Sequence, residues 1–174
     1  MKKIGSTIIE EAIHKLEYDK KRTTARIIIF NEKRELLMLY SKKFNDYTFP
    51  GGGIKEDEDI IEGLKREVKE ETGIILQTIK PYGYCVELRY GINGNETVYE
   101  QTSYYFIGTI EWIGKPNYIE REVLQGLSIV YVDMEKAYKH NEQVIKDETH
   151  QVKGLKTVLL RENMVIESLM KDMK

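Results

Sequence analysis

One cysteine, three prolines and one tryptophan are all that a chain of 174 residues holds of those three types. A single thiol, Cys85, excludes an intrachain disulfide and any metal site built from several cysteines. Its expected role is that of a small apolar filler in a strand. Pro50, Pro81 and Pro116 are too scattered to mark a low-complexity linker, and no internal repeat is present. No apolar run reaches membrane length. Met1-Lys2-Lys3 is basic but leads into no apolar segment of a secretory leader, so the cytoplasm is the expected location. Neither sign of charge dominates: Lys+Arg 27 against Asp+Glu 29 leaves a formal net charge of −2. That balance gives no electrostatic reason to expect a nucleic-acid polymer or a membrane as partner.

What is present is ordinary globular material, 41% hydrophobic and 32% charged, with enough length for one domain spanning 1–174. Residues 7–21 read as a helix or a first strand pair. Ala25 to Phe30 is a β-branched run that predicts a buried strand. Asn31-Glu32-Lys33 makes a turn, and Leu36 to Tyr40 returns as a second strand. Tyr47 to Phe49 is short and extended, ending before Pro50. Further on, Ile74 to Glu87 and Glu96 to Trp112 predict two long strands with a turn at Gly91 to Asn95. A charged loop is expected over Lys115 to Gln125, a strand over Leu127 to Val132, and the opening of a helix over Met134 to Tyr138. A C-terminal helix is expected over about 153–174, and the first 24 or so residues form an N-terminal arm. Strands and helices in this order predict an α/β/α sandwich with a mixed β-sheet.

The most informative stretch is 52–74. Three glycines, Gly51 to Gly53, lead into it, and Asp57 and Asp59 are both candidate helix caps. At roughly 100° per residue, Ile60, Ile61, Leu64 and Val68 share one arc of a helix, while Glu67, Glu70 and Glu71 fill the next. Gly73 then stops the helix. The apolar arc is expected on a sheet and the acidic arc beside a groove. Such clustered carboxylates repel one another unless a hard cation sits among them. The plainer account is a solvated face of i to i+4 ion pairs, which suffices for Glu70-Glu71 alone.

The stretch resembles, position for position, the Nudix hydrolase signature G-x5-E-x7-R-E-U-x-E-E-x-G-U, where U is bulky and aliphatic. Those letters fall on Gly52, Glu58, Arg66, Glu67, Val68, Glu70, Glu71, Gly73 and Ile74. The resemblance implies the sandwich fold and metal-assisted hydrolysis of a pyrophosphate bond. It also implies that Glu67, Glu70, Glu71 and the carbonyl of Gly51 hold Mg²⁺, with Mn²⁺ as a substitute. Arg66 would fix one glutamate by a bidentate pair, and Glu58 would brace the loop. A further general base is expected in the loop after the long strands, at Glu120 or Glu122. One departure stands out: Asp57 occupies a place where many members have glycine.

The motif does not choose the substrate. Arg26, Arg89 and Tyr90, the last 16 residues beyond Ile74, are candidate contacts. A nucleoside triphosphate (an oxidised one included), a dinucleoside polyphosphate and a nucleotide sugar all remain open, as does a homodimer built through the tails. A competing function is a non-catalytic nucleotide-sensing module of the same fold, and a third is a purely structural subunit.

Overall fold

Ala25, Ile27 and Ile29 pack into one apolar cluster and Ile28 into another, so this one strand serves a core on each of its faces. In the computed structural model, which describes residues 1–14, 16–91 and 96–173, that strand is the third of nine. In chain order the elements are β1 (Lys2–Lys3), β2 (Ile8–Ile9), β3 (Lys20–Ile28), β4 (Leu36–Ser41), β5 (Asp46–Thr48), β6 (Gly51–Gly53) and α1 (Ile60–Thr72). There follow β7 (Ile74–Tyr90), β8 (Val98–Ile113), α2 (Glu120–Gln125), β9 (Leu127–Val132), α3 (Met134–Val144) and α4 (Val158–Asp172). The larger sheet runs β1-β7-β8-β3-β6, with β2 also beside β7. It is mixed: β3 is parallel to β8, whereas β7 is antiparallel to β8 and β6 antiparallel to β3.

Several expectations change. Among the described residues of 7–21 there is no helix; they hold β2, parallel to β7, and the first two residues of β3, which starts earlier than the strand expected from Ala25. The strand at 36–41 does not extend the sheet of β3. Beyond a single bridge from Phe30 to Leu36 it turns away, and it forms a separate antiparallel sheet β5-β4-β9. Leu36 and Met38 thereby pack in one cluster and Leu37 in the other. The charged loop at 115–125 contains α2, and the C-terminal helix begins at Val158. The turn expected at Gly91 to Asn95 lies, past Gly91, outside the described residues.

Helix α1 forms where its sequence directs. Asp59 caps it, its carboxylate accepting the Ile61 and Glu62 N–H groups at 2.9 and 3.1 Å. Leu64 and Val68, one turn apart, are fully buried with Ala25, Ile27 and Phe106. Gly73 closes the helix in the left-handed region, its N–H donating to Lys69. Asp57, the departure from the family pattern, has φ +63°, a conformation in which glycine is unstrained and aspartate is tolerated.

Helix α4 covers the opposite face, where Val165, Ile166 and Leu169 pack on Cys85 and Tyr105. Its first turns carry something no apolar stripe accounts for. Arg161 and Glu162 are 1% and 0% exposed. Arg161 donates to Glu87 at 2.8 Å, to the Tyr105 hydroxyl at 3.0 Å and to Glu162 at 2.6 Å. Glu87 is itself buried on β7 and also accepts from Gln101 at 2.9 Å. Burial pushes the Glu87 carboxyl up, but Arg161 and Arg89 outweigh it and leave it below the usual carboxylate range. Glu162 accepts the Phe49 N–H at 2.8 Å, tying α4 to the residue before Pro50.

Removing one partner of a buried ion network leaves the other charges uncompensated, which costs about 3–5 kcal/mol. Glu162→Gln is therefore expected to lower the urea unfolding free energy by about that amount. By contrast, Lys171→Ala, which breaks the exposed pair with Glu167 at 2.9 Å, should cost less than about 1 kcal/mol. Equal losses in the two variants would show that the buried network contributes no special stability.

Candidate active site

The acidic face of α1 meets the glycine strand β6 at close range. The Gly51 N–H donates to Glu71 Oε2 at 2.7 Å. Gly51 itself has φ +128°, and a side chain there would strike the Ala25 carbonyl. At Gly52 a Cβ atom would lie 2.0 Å from Glu67 Oε2, so only glycine leaves Glu67 its place. Arg66 organises the rest. Its Nε and Nη2 form a bidentate pair with Glu58 at 2.7 and 2.8 Å, and its Nη1 donates to Glu67 at 2.6 Å. It reaches Glu70 at 3.5 Å and donates to the Gly53 carbonyl at 3.2 Å. The Arg66 guanidinium and the Lys55 N–H hold the Glu58 carboxyl down at about 2. Glu58 accepts that N–H at 2.9 Å, which closes the loop ahead of the helix.

Opposite this face lies a wall of cations. Arg22, Thr24 and Arg26 alternate along β3, and Arg89 of β7, Gln101 of β8 and Arg161 of α4 complete a cleft of about 390 Å³. Its lining holds four arginines and four glutamates, Glu67, Glu70, Glu71 and Glu122. Arg26 is anchored by donating to the Phe49 carbonyl at 2.6 Å. Burial pulls the Arg89 guanidinium down to about 10, opposed by Glu87 and reinforced by Arg161 and Arg22. Arg89 also donates to the Gly154 carbonyl, in the segment that leads into α4.

Glu122 reaches the cleft because the chain after β8 is tied to the end of α1. The Gly114 N–H donates to Gly73 and the Asn117 N–H to Glu70, both at 2.8 Å. Glu122 then accepts the Ile119 N–H at 2.9 Å and is 8% exposed. Glu120, two residues earlier, is exposed and lines no part of the cleft. Tyr90 is also placed elsewhere. It is buried at the end of β7, its N–H donating to Glu10 and its hydroxyl to the Ala12 carbonyl, with the Lys153 ammonium 3.9 Å from its ring centroid.

The structure therefore brings together Gly51, Arg26, Glu58, Arg66, Glu67, Glu70, Glu71 and Glu122, and separates Glu120 and Tyr90 from them. Sequence reasoning offered Arg89 beside Arg26, and it too lines the cleft; it missed Arg22, Glu87, Gln101, Arg161 and Glu162. The one signal for the last two was a charged pair set inside an apolar helical arc.

The donor set suits a hard divalent cation. Burial pushes the Glu71 carboxyl up to about 8, against the pull of Arg26 and the Gly51 N–H, and Glu122 and Glu67 push the same way. A doubly positive ion among these oxygens would favour the ionised form. Among the described residues no three acidic, histidine or cysteine side chains already converge as a closed ligand set. Glu67 Oε1 accepts from Arg66 and Glu71 Oε2 from the Gly51 N–H.

Comparison with known proteins agrees with this geometry. The NUDIX domain family matches residues 20–152. The 8-oxo-dGTP diphosphatase of Buchnera aphidicola is 32% identical over 94 residues, 53% of this chain and 68% of that one. The RNA pyrophosphohydrolase of Marinomonas sp. is 42% identical over 59 residues, 34% of this chain and 37% of that one. Among solved structures, the MutT protein from Methanosarcina mazei Go1 superposes with a TM-score of 0.51 at 20% identity, over 91% of this chain and 99% of that one. That likeness speaks for the fold alone. With the signature running from β6 through α1 to the first residue of β7 and the family match spanning most of the chain, the protein belongs to the Nudix (MutT-type) hydrolases.

Proposed function

We propose that this Nudix hydrolase cleaves the pyrophosphate linkage of a nucleoside diphosphate derivative, with Mg²⁺ or Mn²⁺ as its cation. What supports it most is the cleft itself, in which four glutamates face four arginines across about 390 Å³. A cleft lined by both signs suits a ligand that is anionic and brings cations with it, as a metal-bound polyphosphate does.

In this proposal Glu67, Glu70, Glu71 and the Gly51 carbonyl hold the cation. When bound, such an ion acidifies water and neutralises charge gathering on the phosphorus. The chain's own groups do the rest. Arg66, locked by Glu58, holds Glu67 in one rotamer. Arg26 and Arg22 face the oxygens of the phosphates, and the Arg26 guanidinium is kept in place by the Phe49 carbonyl. Glu122, enclosed beside Glu71, is placed to accept a proton from the attacking water. The names of the relatives extend the substrates worth testing to oxidised nucleoside triphosphates and to the triphosphorylated 5′ end of RNA.

The deciding experiment is a turnover assay with Mg²⁺ over nucleoside triphosphates, 8-oxo-dGTP, dinucleoside polyphosphates, nucleotide sugars and 5′-triphosphorylated RNA. Glu70→Gln and Glu71→Gln are each expected to lower kcat by at least about 100-fold with the fold intact by circular dichroism. Near-normal turnover in both would overturn the assignment. Binding of a nucleotide without turnover of any substrate would make the protein a sensing module instead.

Gly52→Ala gives a second, independent test. Its methyl group would occupy the position of the Glu67 carboxylate, so kcat should fall by about 10-fold or more while the melting temperature changes little. An unchanged kcat would show that Glu67 has no required position.

A further inference from the structure

Arg22 lines two hollows. One is the cleft; the other, about 590 Å³, opens outside it where β3 runs on past the glycine strand. The two meet at Gly53, where an added Cβ would come within 3.6 Å of Arg22 Nη2. The outer hollow carries Lys20, Lys21, Arg22 and Lys55. Its acids are Glu56 and Glu58, and Glu58 is already committed to Arg66. Lys20, Lys21 and Lys55 are exposed, and the Lys21 ammonium lies 3.8 Å from Glu100 and 5.4 Å from the Tyr18 ring centroid. A local surplus of cations therefore stands at the mouth of the cleft, in a chain whose formal net charge is −2.

The layout of β3 gives this surplus a direction. Lys20, Arg22, Thr24 and Arg26 occupy alternate positions and so share one face, with Cα atoms about 6.6 Å apart from one to the next. Arg26 lies deepest, at the level of Gly51, and Thr24 at the level of Gly53. Arg22 and Lys20 are exposed. A row of cations thus leads outward from the glutamates. It suits a ligand whose negative charges continue in series, and lysine on a flexible stem suits phosphate as a point charge.

We propose that this basic hollow is a second phosphate subsite, which takes a phosphate-linked extension of the substrate beyond the bond cut in the cleft. The subsite rests on the hydrolase assignment above and narrows it. Preferred substrates carry a further phosphate-linked nucleotide, as dinucleoside polyphosphates and 5′-triphosphorylated RNA do, and are not simple nucleoside triphosphates.

The test is the triple variant Lys20→Ala/Lys21→Ala/Lys55→Ala, which leaves Arg22 and every cleft residue in place. Three substrates are compared: ATP, diadenosine tetraphosphate and a 5′-triphosphorylated trinucleotide RNA. KM for the extended substrates should rise by about tenfold and lose part of its salt dependence, with kcat retained and KM for ATP changed by less than about twofold. A rise confined to the RNA identifies the extension as a phosphodiester backbone; a rise with both identifies any second phosphate-linked nucleotide. Unchanged KM values, or an equal rise with ATP, overturn the proposal. If the wild-type protein hydrolyses none of the three, the hydrolase assignment is decided separately, by the 8-oxo-dGTP and nucleotide-sugar arms of the turnover assay. The subsite is then decided by fluorescence anisotropy with labelled triphosphorylated trinucleotide: a tenfold weaker Kd in the variant supports it, and an unchanged Kd overturns it.

Discussion

Two carboxylates from opposite layers of the sandwich hold one short piece of backbone, and the site depends on that grip. Glu71 of α1 accepts the Gly51 N–H at 2.7 Å, and Glu162 of α4 accepts the Phe49 N–H at 2.8 Å. Pro50 between them has no N–H to offer. Both amides of the segment therefore end on side-chain carboxyl oxygens. The carbonyls are engaged as well, Phe49 by Arg26 and Pro50 by the Ile27 N–H at 2.9 Å. A shift of either helix would move Gly51, and with it the oxygen and the glutamates around it.

The same grip explains how the protein tolerates so much charge beside a core. At an effective dielectric near 20, two like charges about 4 Å apart repel by roughly 4 kcal/mol, which no single hydrogen bond offsets. The chain relieves this by sorting. Glu58 is neutralised by a bidentate arginine, and Glu87 and Glu162 are neutralised by Arg161. Glu71 is the group left with its charge opposed, and its carboxyl rises to about 8 chiefly through burial. The structural carboxylates are thus each paired with an arginine, Glu87 and Glu162 sharing Arg161, whereas the carboxylate at the centre of the cleft has an environment that an added cation would improve.

The parts of this arrangement that were legible in the sequence are the local ones. Cap, apolar arc and stop place α1 from residues within one helix, and fixed spacing marks Glu58, Arg66, Glu67, Glu70 and Glu71 together. The strand pattern likewise separated Ala25 to Phe30 from its neighbours. Long-range partners were not legible. Arg89 and Glu87 alternate on a strand like any polar pair, and only the folded chain shows Arg89 lining the cleft and Glu87 buried against Arg161. Glu120 and Glu122 are equivalent as text. They differ because a helical turn after Ile119 turns one inward and leaves the other exposed. Tyr90 carried an expectation based on its distance from Ile74, and the N-terminal arm claims it instead, through Glu10 and Ala12.

The limits of the family match give the last step its force. The match ends at residue 152, before α4 begins at Val158. The glutamates of the cleft thus lie wholly inside the matched region, and Arg161 on the opposing wall lies outside it. Glu162, which fixes the backbone ahead of the glycine strand, lies outside it too. The division follows the chemistry. Holding a cation against a pyrophosphate asks for the same oxygens whatever the rest of the substrate is, whereas the wall facing them must match the group attached. In this chain that wall joins the C-terminal helix to β3 through Arg26, whose Nε lies 4.0 Å from Glu162. The C-terminal helix, outside the family match, thus gives Arg161 to the cleft and Glu162 to the backbone ahead of the glycine strand.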